Sequence, residues 1–278
     1  ISLERCRNIT INGLSIDYRR KPFSQGKVIK KSRTSFEVLI DPQYPVQKGV
    51  PCPRVEFWNI AKNELNKHVA YTISSKLVGP QRIKLMGIPP NNNDEMTAMI
   101  VHSFHFRPAI LIHEAENIIL NNVSIHAQPG MGIVGHRCHN LTFNSVNIIP
   151  TTGVLMSTNT DASHFTSCTG LIRFDHCHFE GQGDDSTNIH NYYYTITKKL
   201  KGTLDNDTII VRVDAPTGTH AQVLDYPDVG DTLEMVESDS LNPVAQFKVL
   251  NVKNFPKQWK SEITIEGHMP KNIKHYLL

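Results

Sequence analysis

Long apolar runs are missing from this sequence. No stretch approaches the roughly 18 consecutive apolar residues of a membrane-spanning helix, which excludes that class. Charge of one sign is scarce as well. The 278 residues carry a formal net charge of +3, and their Lys and Arg form no basic stripe, so nucleic acid is not an expected partner. The five cysteines, Cys6, Cys52, Cys138, Cys168 and Cys177, are odd in number and dispersed, with no C-x-x-C pair. They are neither a disulfide framework nor a zinc set, and read as small buried hydrophobes. Tryptophan occurs only as Trp58 and Trp259, each in a segment where core packing is the expected role. The chain opens at Ile1 with no charged-then-apolar leader; a trimmed start is expected, and the compartment is not legible there. The chain does have length and 39% hydrophobic residues, ample for a core.

A short pattern recurs. "NITINGLSI" begins at Asn8, "NIILNNVSI" at Asn117, "NLTFNSVNI" at Asn140, and "LIRFDHCHF" at Leu171 fits the same frame. Apolar residues fall two apart in each, as Ile118 and Leu120 or Leu141 and Phe143, which is the period of a strand with one buried face. A polar pair follows, opened by Asn12, Asn121, Asn144 or Asp175, and marks a turn. The last two intervals are 23 (140 less 117) and 31 (171 less 140). A unit of that length, built of short strands and turns, suits one coil of a right-handed parallel β-helix, whose coils bury their inward side chains on one another.

The first interval, 109 (117 less 8), breaks the rhythm. Something of domain size is inserted there, and "GKVIKKSRTSFEVLI" and "QRIKLMGI" within it alternate like antiparallel strands. A second excursion after Tyr194 holds "GTLDNDTIIVRV", "GDTLEMVE", "AQFKVLNV" and "SEITIEG". The predicted fold is all-β: a right-handed parallel β-helix with two inserted small antiparallel β-barrels. Residues 1–16 form a coil, 17–105 a barrel, 106–194 the coils carrying the site, 195–268 the second barrel, and 269–278 a return to the helix. The run "YYY" at 192–194 is expected to pack the barrel junction.

Within the coils, "FEGQGDDSTNIHN" sets Asp184 beside Asp185. Adjacent carboxylates repel, so such a pair is solvated, metal-bound or catalytic. Ile133, Phe165 and Ile189 lie four residues after Pro129, Asp161 and Asp185, and are expected to form an inward ladder. Asp161 and Asp185 then occupy equivalent places on adjacent coils, and three carboxylates converge. An inverting glycosidase needs a carboxylic acid for the leaving oxygen and a carboxylate to activate water, roughly 6.5–9.5 Å apart. Clustered like charges also keep one member protonated. The neighbours His164, His190, Asn159 and Asn188 suit sugar hydroxyls. Glu180 and Gln182 precede the pair, and His136 and Arg137 lie one coil earlier.

"NTDASHF" followed by "GQGDDSTNIH" resembles the Asp-then-Asp-Asp arrangement of β-helical inverting glycosidases. It is similar in general logic to the polygalacturonases of family 28, and more closely to glycoside hydrolase family 110, the exo-acting α-1,3-galactosidases. That resemblance spans nearly the whole chain. It implies a β-helix with two inserted β-barrels, and an inverting enzyme that removes terminal α-1,3-linked galactose from glycans such as the blood-group B antigen. It carries over Asp161, Asp184 and Asp185 as catalytic carboxylates, with no metal or cofactor, a galactose-terminated glycan as partner, and action outside the cytoplasm, secreted or periplasmic. Family enzymes are longer, so further coils are expected. No glycine follows Asp161 in the polygalacturonase manner, and no Arg-x-Lys motif follows the cluster, which argues against a uronic acid. Two other readings remain: a polygalacturonase-like endo-hydrolase or calcium-dependent lyase, and a non-catalytic glycan-binding β-helix.

Overall fold

A computed structural model describes the chain except residues 45, 47, 73, 92–94, 104–106, 201, 214–225, 259 and 271–275. Trp259 therefore lies outside the described residues. Two strands open the chain, β1 (Ser2–Glu4) and β2 (Arg7–Ile16). Seven follow in the first excursion: β3 (Phe23–Lys31), β4 (Ser35–Ile40), β5 (Arg54–Asn59), β6 (Glu64–Tyr71), β7 (Ser74–Gly79), β8 (Arg82–Met86) and β9 (Thr97–Val101). The chain then runs through β10 (Ile110–His113), β11 (Glu116–Ile125), β12 (Ile133–His136), β13 (His139–Asn144), β14 (Asn147–Ile148), β15 (Ser163–Thr166), β16 (Thr169–Asp175), β17 (His178–Phe179) and β18 (Thr187–His190). It ends with β19 (Tyr194–Leu200), β20 (Asn206–Val213), β21 (Thr232–Glu237), β22 (Pro243–Phe255), β23 (Lys260–Glu266) and β24 (Tyr276–Leu277). Among the described residues there is no α-helix.

The repeats form two parallel sheets that the chain visits in turn. One has the order β1-β10-β12-β15-β18; in the other β2, β11, β13 and β16 pair in succession, with β14 and β17 beside them. Ser2 pairs with Leu111 and Ile9 with Ile118, the same interval in both sheets. The first excursion thus leaves and rejoins without disturbing the register. The inward ladder is dry: Ile118, Leu120, Val123, Ile125, Leu141, Phe143, Val146 and Ile148 are all buried. Each such side chain contributes about 1.5–3 kcal/mol by leaving water.

The predicted turn residues form a second ladder. Asn121 Nδ2 donates to Asn12 Oδ1 at 2.7 Å, and Asn144 Nδ2 to Asn121 Oδ1 at 2.8 Å. Asn117 and Asn140 repeat the device on Asn8 and Asn117. Asn8, Asn117 and Asn140 all have φ between 55° and 57°, a left-handed conformation that asparagine tolerates better than most residues.

One predicted register is corrected. Phe165 does lie opposite Ile189, but Ile133 lies opposite Ser163, and Phe165 faces Gly135. The reason is volume. A Cβ on Gly135 would stand 2.5 Å from Phe165 Cδ1, so the ring occupies the space a side chain there would need. Ile189 belongs to the last strand of its sheet and is 56% exposed.

The first excursion is a seven-stranded antiparallel sheet, order β6-β5-β9-β3-β4-β8-β7. Among the described residues no pairing joins β6 to β7, so it is an open sheet where a barrel was expected. Its core, including Phe36, Val55, Phe57 and Met99, also takes in Ala127 and Met156 from the parallel part. The segment 191–278 is a separate unit, a closed barrel of order β19-β20-β23-β22-β21-β24. Residues 276 and 277 pair with β19 and β21 and so complete this barrel, where a return to the parallel sheets was expected. Tyr194 stacks on Tyr226 in the barrel core, 6.2 Å between centroids. Cys52 and Cys138 are buried, the other three cysteines are half-buried, and none of the five forms a disulfide.

The Gly135 contact is testable. Gly135→Ala should destabilise by about 1–3 kcal/mol through overpacking. In urea unfolding, Gly135→Ala combined with Phe165→Leu should lose less than the sum of the two single changes, because the smaller side chain vacates the contested space.

Candidate active site

Parallel pairing brings the loop ends that precede neighbouring strands side by side. Asp161 lies just before β15, and Asp184 and Asp185 just before β18. Phe165 opposes Ile189 and Thr158 opposes Gln182, the same interval twice, and that interval carries Asp161 onto Asp185. The backbone confirms the stacking: Ala162 N donates to Asp185 O at 2.9 Å and Gly183 N to Thr158 O at 2.9 Å. One oxygen from each of Asp161, Asp184 and Asp185 lies within 4.8 Å of the others.

The three differ in surroundings. Asp161 is 5% exposed, whereas Asp184 and Asp185 are exposed. Asp161 Oδ2 lies 2.6 Å from His164 Nδ1, and His164 Nε2 lies 3.0 Å from His190 Nε2. With Nδ1–H donated to Asp161, His164 Nε2 is the acceptor and His190 the donor. An Asp–His–His chain thus fixes the buried carboxylate. Asn188 Nδ2 donates to Asp185 Oδ2 at 3.2 Å. Oxygens of two aspartates are therefore engaged.

Asn159 is buried; its Nδ2 donates to Ser103 O, and its Oδ1 has no hydrogen-bond partner among the described residues. Ser103 also lines a cleft of about 420 Å³ edged by Arg20, Lys48 and His102. The remaining expected residues are directed elsewhere. Gln182 Nε2 donates to Ile148 O at 3.0 Å and Ser157 Oγ at 3.1 Å, a structural use of the amide. The Glu180 carboxylate pairs with His178 at 3.3 Å. His136 stacks flat on His113, 5.1 Å between centroids, and stands in register with Thr166.

Sequence reasoning missed a fourth carboxyl. Glu56, on β5 of the inserted sheet, is 1% exposed. Burial pushes its carboxyl up to about 7, against a lowering by Arg54 and with a further raise from Asp184. Arg54 Nη2 lies 3.0 Å from Glu56 Oε1 and donates to Gly183 O at 3.0 Å. A Cβ on Gly183 would meet both Glu56 Oε1 and Asn159 O at 2.8 Å, so only glycine admits this approach. The available signal was the alternation in "RVEFWN", where Arg54 and Glu56 alternate with Val55 and Phe57.

No family model matches the chain. It is 24% identical to alpha-1,3-galactosidase B of Parabacteroides distasonis, over 98% of this chain and 48% of that protein. It is 25% identical to alpha-1,3-galactosidase B of Bacteroides thetaiotaomicron, over 97% of this chain and 46% of that protein. A shorter match, 34% identical, covers 33% of this chain and 15% of alpha-1,3-galactosidase A of Shewanella woodyi. The chain thus spans about half the length of the first two relatives.

Proposed function

We propose that this chain carries the catalytic centre of a glycoside hydrolase that removes terminal α-1,3-linked galactose from glycans such as the blood-group B antigen, acting outside the cytoplasm. Its parallel sheets are read as a right-handed parallel β-helix. The observation that carries the proposal is the convergence of Asp161, Asp184 and Asp185 from adjacent rungs. The linkage and the sugar rest on the names of the relatives and on the resemblance to family 110. Cleaving a glycosidic bond needs one protonated carboxyl for the leaving oxygen and one carboxylate for water or for the anomeric carbon. Asp161 is buried and held by His164, while Asp184 and Asp185 stand exposed beside it.

Inversion is the outcome implied by the resemblance. A retaining enzyme, in which one carboxyl acts as nucleophile, would release the opposite anomer. The anomer released first separates them. Proton NMR of the protein with a blood-group B trisaccharide should show β-galactose at early times; α-galactose appearing first would establish retention, and no galactose at all would sink the proposal for this chain.

Asp184→Asn and Asp185→Asn should each lower kcat/KM by roughly 10²–10⁴-fold, with the circular dichroism spectrum unchanged. Full activity in both variants would remove the aspartate pair from the chemistry.

A further inference from the structure

Glu56 is the most unusual buried group in the described structure. It sits on β5, between Val69 of β6 and Met99 of β9, which are its strand partners and offer it no polar atom. Val55 and Phe57 point to the other face and belong to the core of the inserted sheet. Glu56 and Arg54 point instead toward the turn at Gly183. Neither oxygen of Glu56 has a hydrogen-bond donor among the described residues. Arg54 stands 3.0 Å away as an ion-pair partner, without the alignment of a hydrogen bond, and spends a donor on Gly183 O. A buried carboxylate without donors is costly, and holding a proton relieves that cost.

The next residue after Gly183 is Asp184. The charged groups acting on Glu56 are therefore Arg54 from its own strand and Asp184 from the parallel sheets, with Asp161 and Asp185 behind it. Among the described residues Arg54 is the one cation acting on Glu56, and the charge of Asp184 works against it. We infer that Glu56 is a fourth carboxyl of the site, a positioning residue delivered by the inserted sheet, which with Arg54 fixes the Gly183–Asp184 backbone and takes ionisation in turn with Asp184 rather than together with it.

The consequence is a proton held at the site above the ordinary carboxyl range. With Glu56 neutral, Asp184 ionises beside a neutral neighbour. The charge of Asp184 then raises the proton affinity of Glu56, and the pair holds its last proton longer. The effect is reciprocal, so each carboxyl reports on the other. For its kinetic consequence this inference rests on the glycosidase reading; for its titration it does not.

The test is carbon NMR of the whole chain labelled at glutamate carboxyls, titrated from acid to alkaline pH. One glutamate should titrate near 7, its signal absent from Glu56→Gln. In Asp184→Asn, where the neighbouring charge is gone, that midpoint should fall by about half a unit or more. Glutamates that all titrate in the ordinary range, or a midpoint indifferent to Asp184→Asn, would overturn the inference. With the trisaccharide as substrate, Glu56→Gln should lose at least tenfold more of kcat/KM at pH 7 than at pH 5, because the remaining carboxyl keeps its proton less well. An equal loss at both pH values would make Glu56 merely structural. Coupled titration without galactose release would sink the galactosidase reading and leave the carboxyl pairing standing.

Discussion

The register between successive rungs of the parallel sheets is the constraint on which the rest depends. Each inward side chain must rest on the one below, so the chain is free to vary only where it turns. The 109-residue interval between Ile9 and Ile118 obeys this rule as fully as the short ones. So does the bulge between His139 and Leu141 in the pairing of β13 with β16, where Gly170 at φ 71° absorbs an extra residue. Because the ladder forbids slippage, the loop ends before β15 and β18 are held side by side. Carboxylates that would repel each other in a free chain are kept together by packing energy supplied elsewhere.

The inserted sheet adds to that arrangement in a way the ladder alone could not. Its core reaches Ala127 and Met156, which ties it to the parallel part of the same unit. One face of β5 is thereby turned toward the Gly183 loop, and the Arg54–Glu56 pair is set against a position where only glycine fits. The site is then a composite: exposed aspartates at the surface, a buried aspartate fixed by two histidines, and a buried glutamate behind them. Of these carboxyls, Glu56 is the one that burial pushes up, to about 7.

The repeats, their turns and the convergence of Asp161 with Asp184 and Asp185 were legible in the sequence, because period-two burial and fixed spacing are local signals. The asparagine ladder follows from the same positions. The pairing of Phe165 with Gly135 was not legible, since it depends on the volume of a ring on one rung and the absence of a side chain on the next. The inner use of the Gln182 amide and the contact of Glu180 with His178 depend likewise on which way each residue faces after a turn. A charge on an apolar strand, as at Glu56, is visible in sequence but has no partner until the fold supplies one.

The sequence by itself determined the alternation of strands and turns and the recurrence of a rung, and with them which carboxylates could meet. Those follow from side-chain period and spacing, which are properties of the chain read in order. Tertiary structure alone decided that the first excursion is an open sheet, that the last strand closes the second unit as a barrel, and that Glu56 stands beside Asp184. Strand closure and the meeting of residues more than a hundred positions apart depend on edges and faces that exist only once the chain has folded.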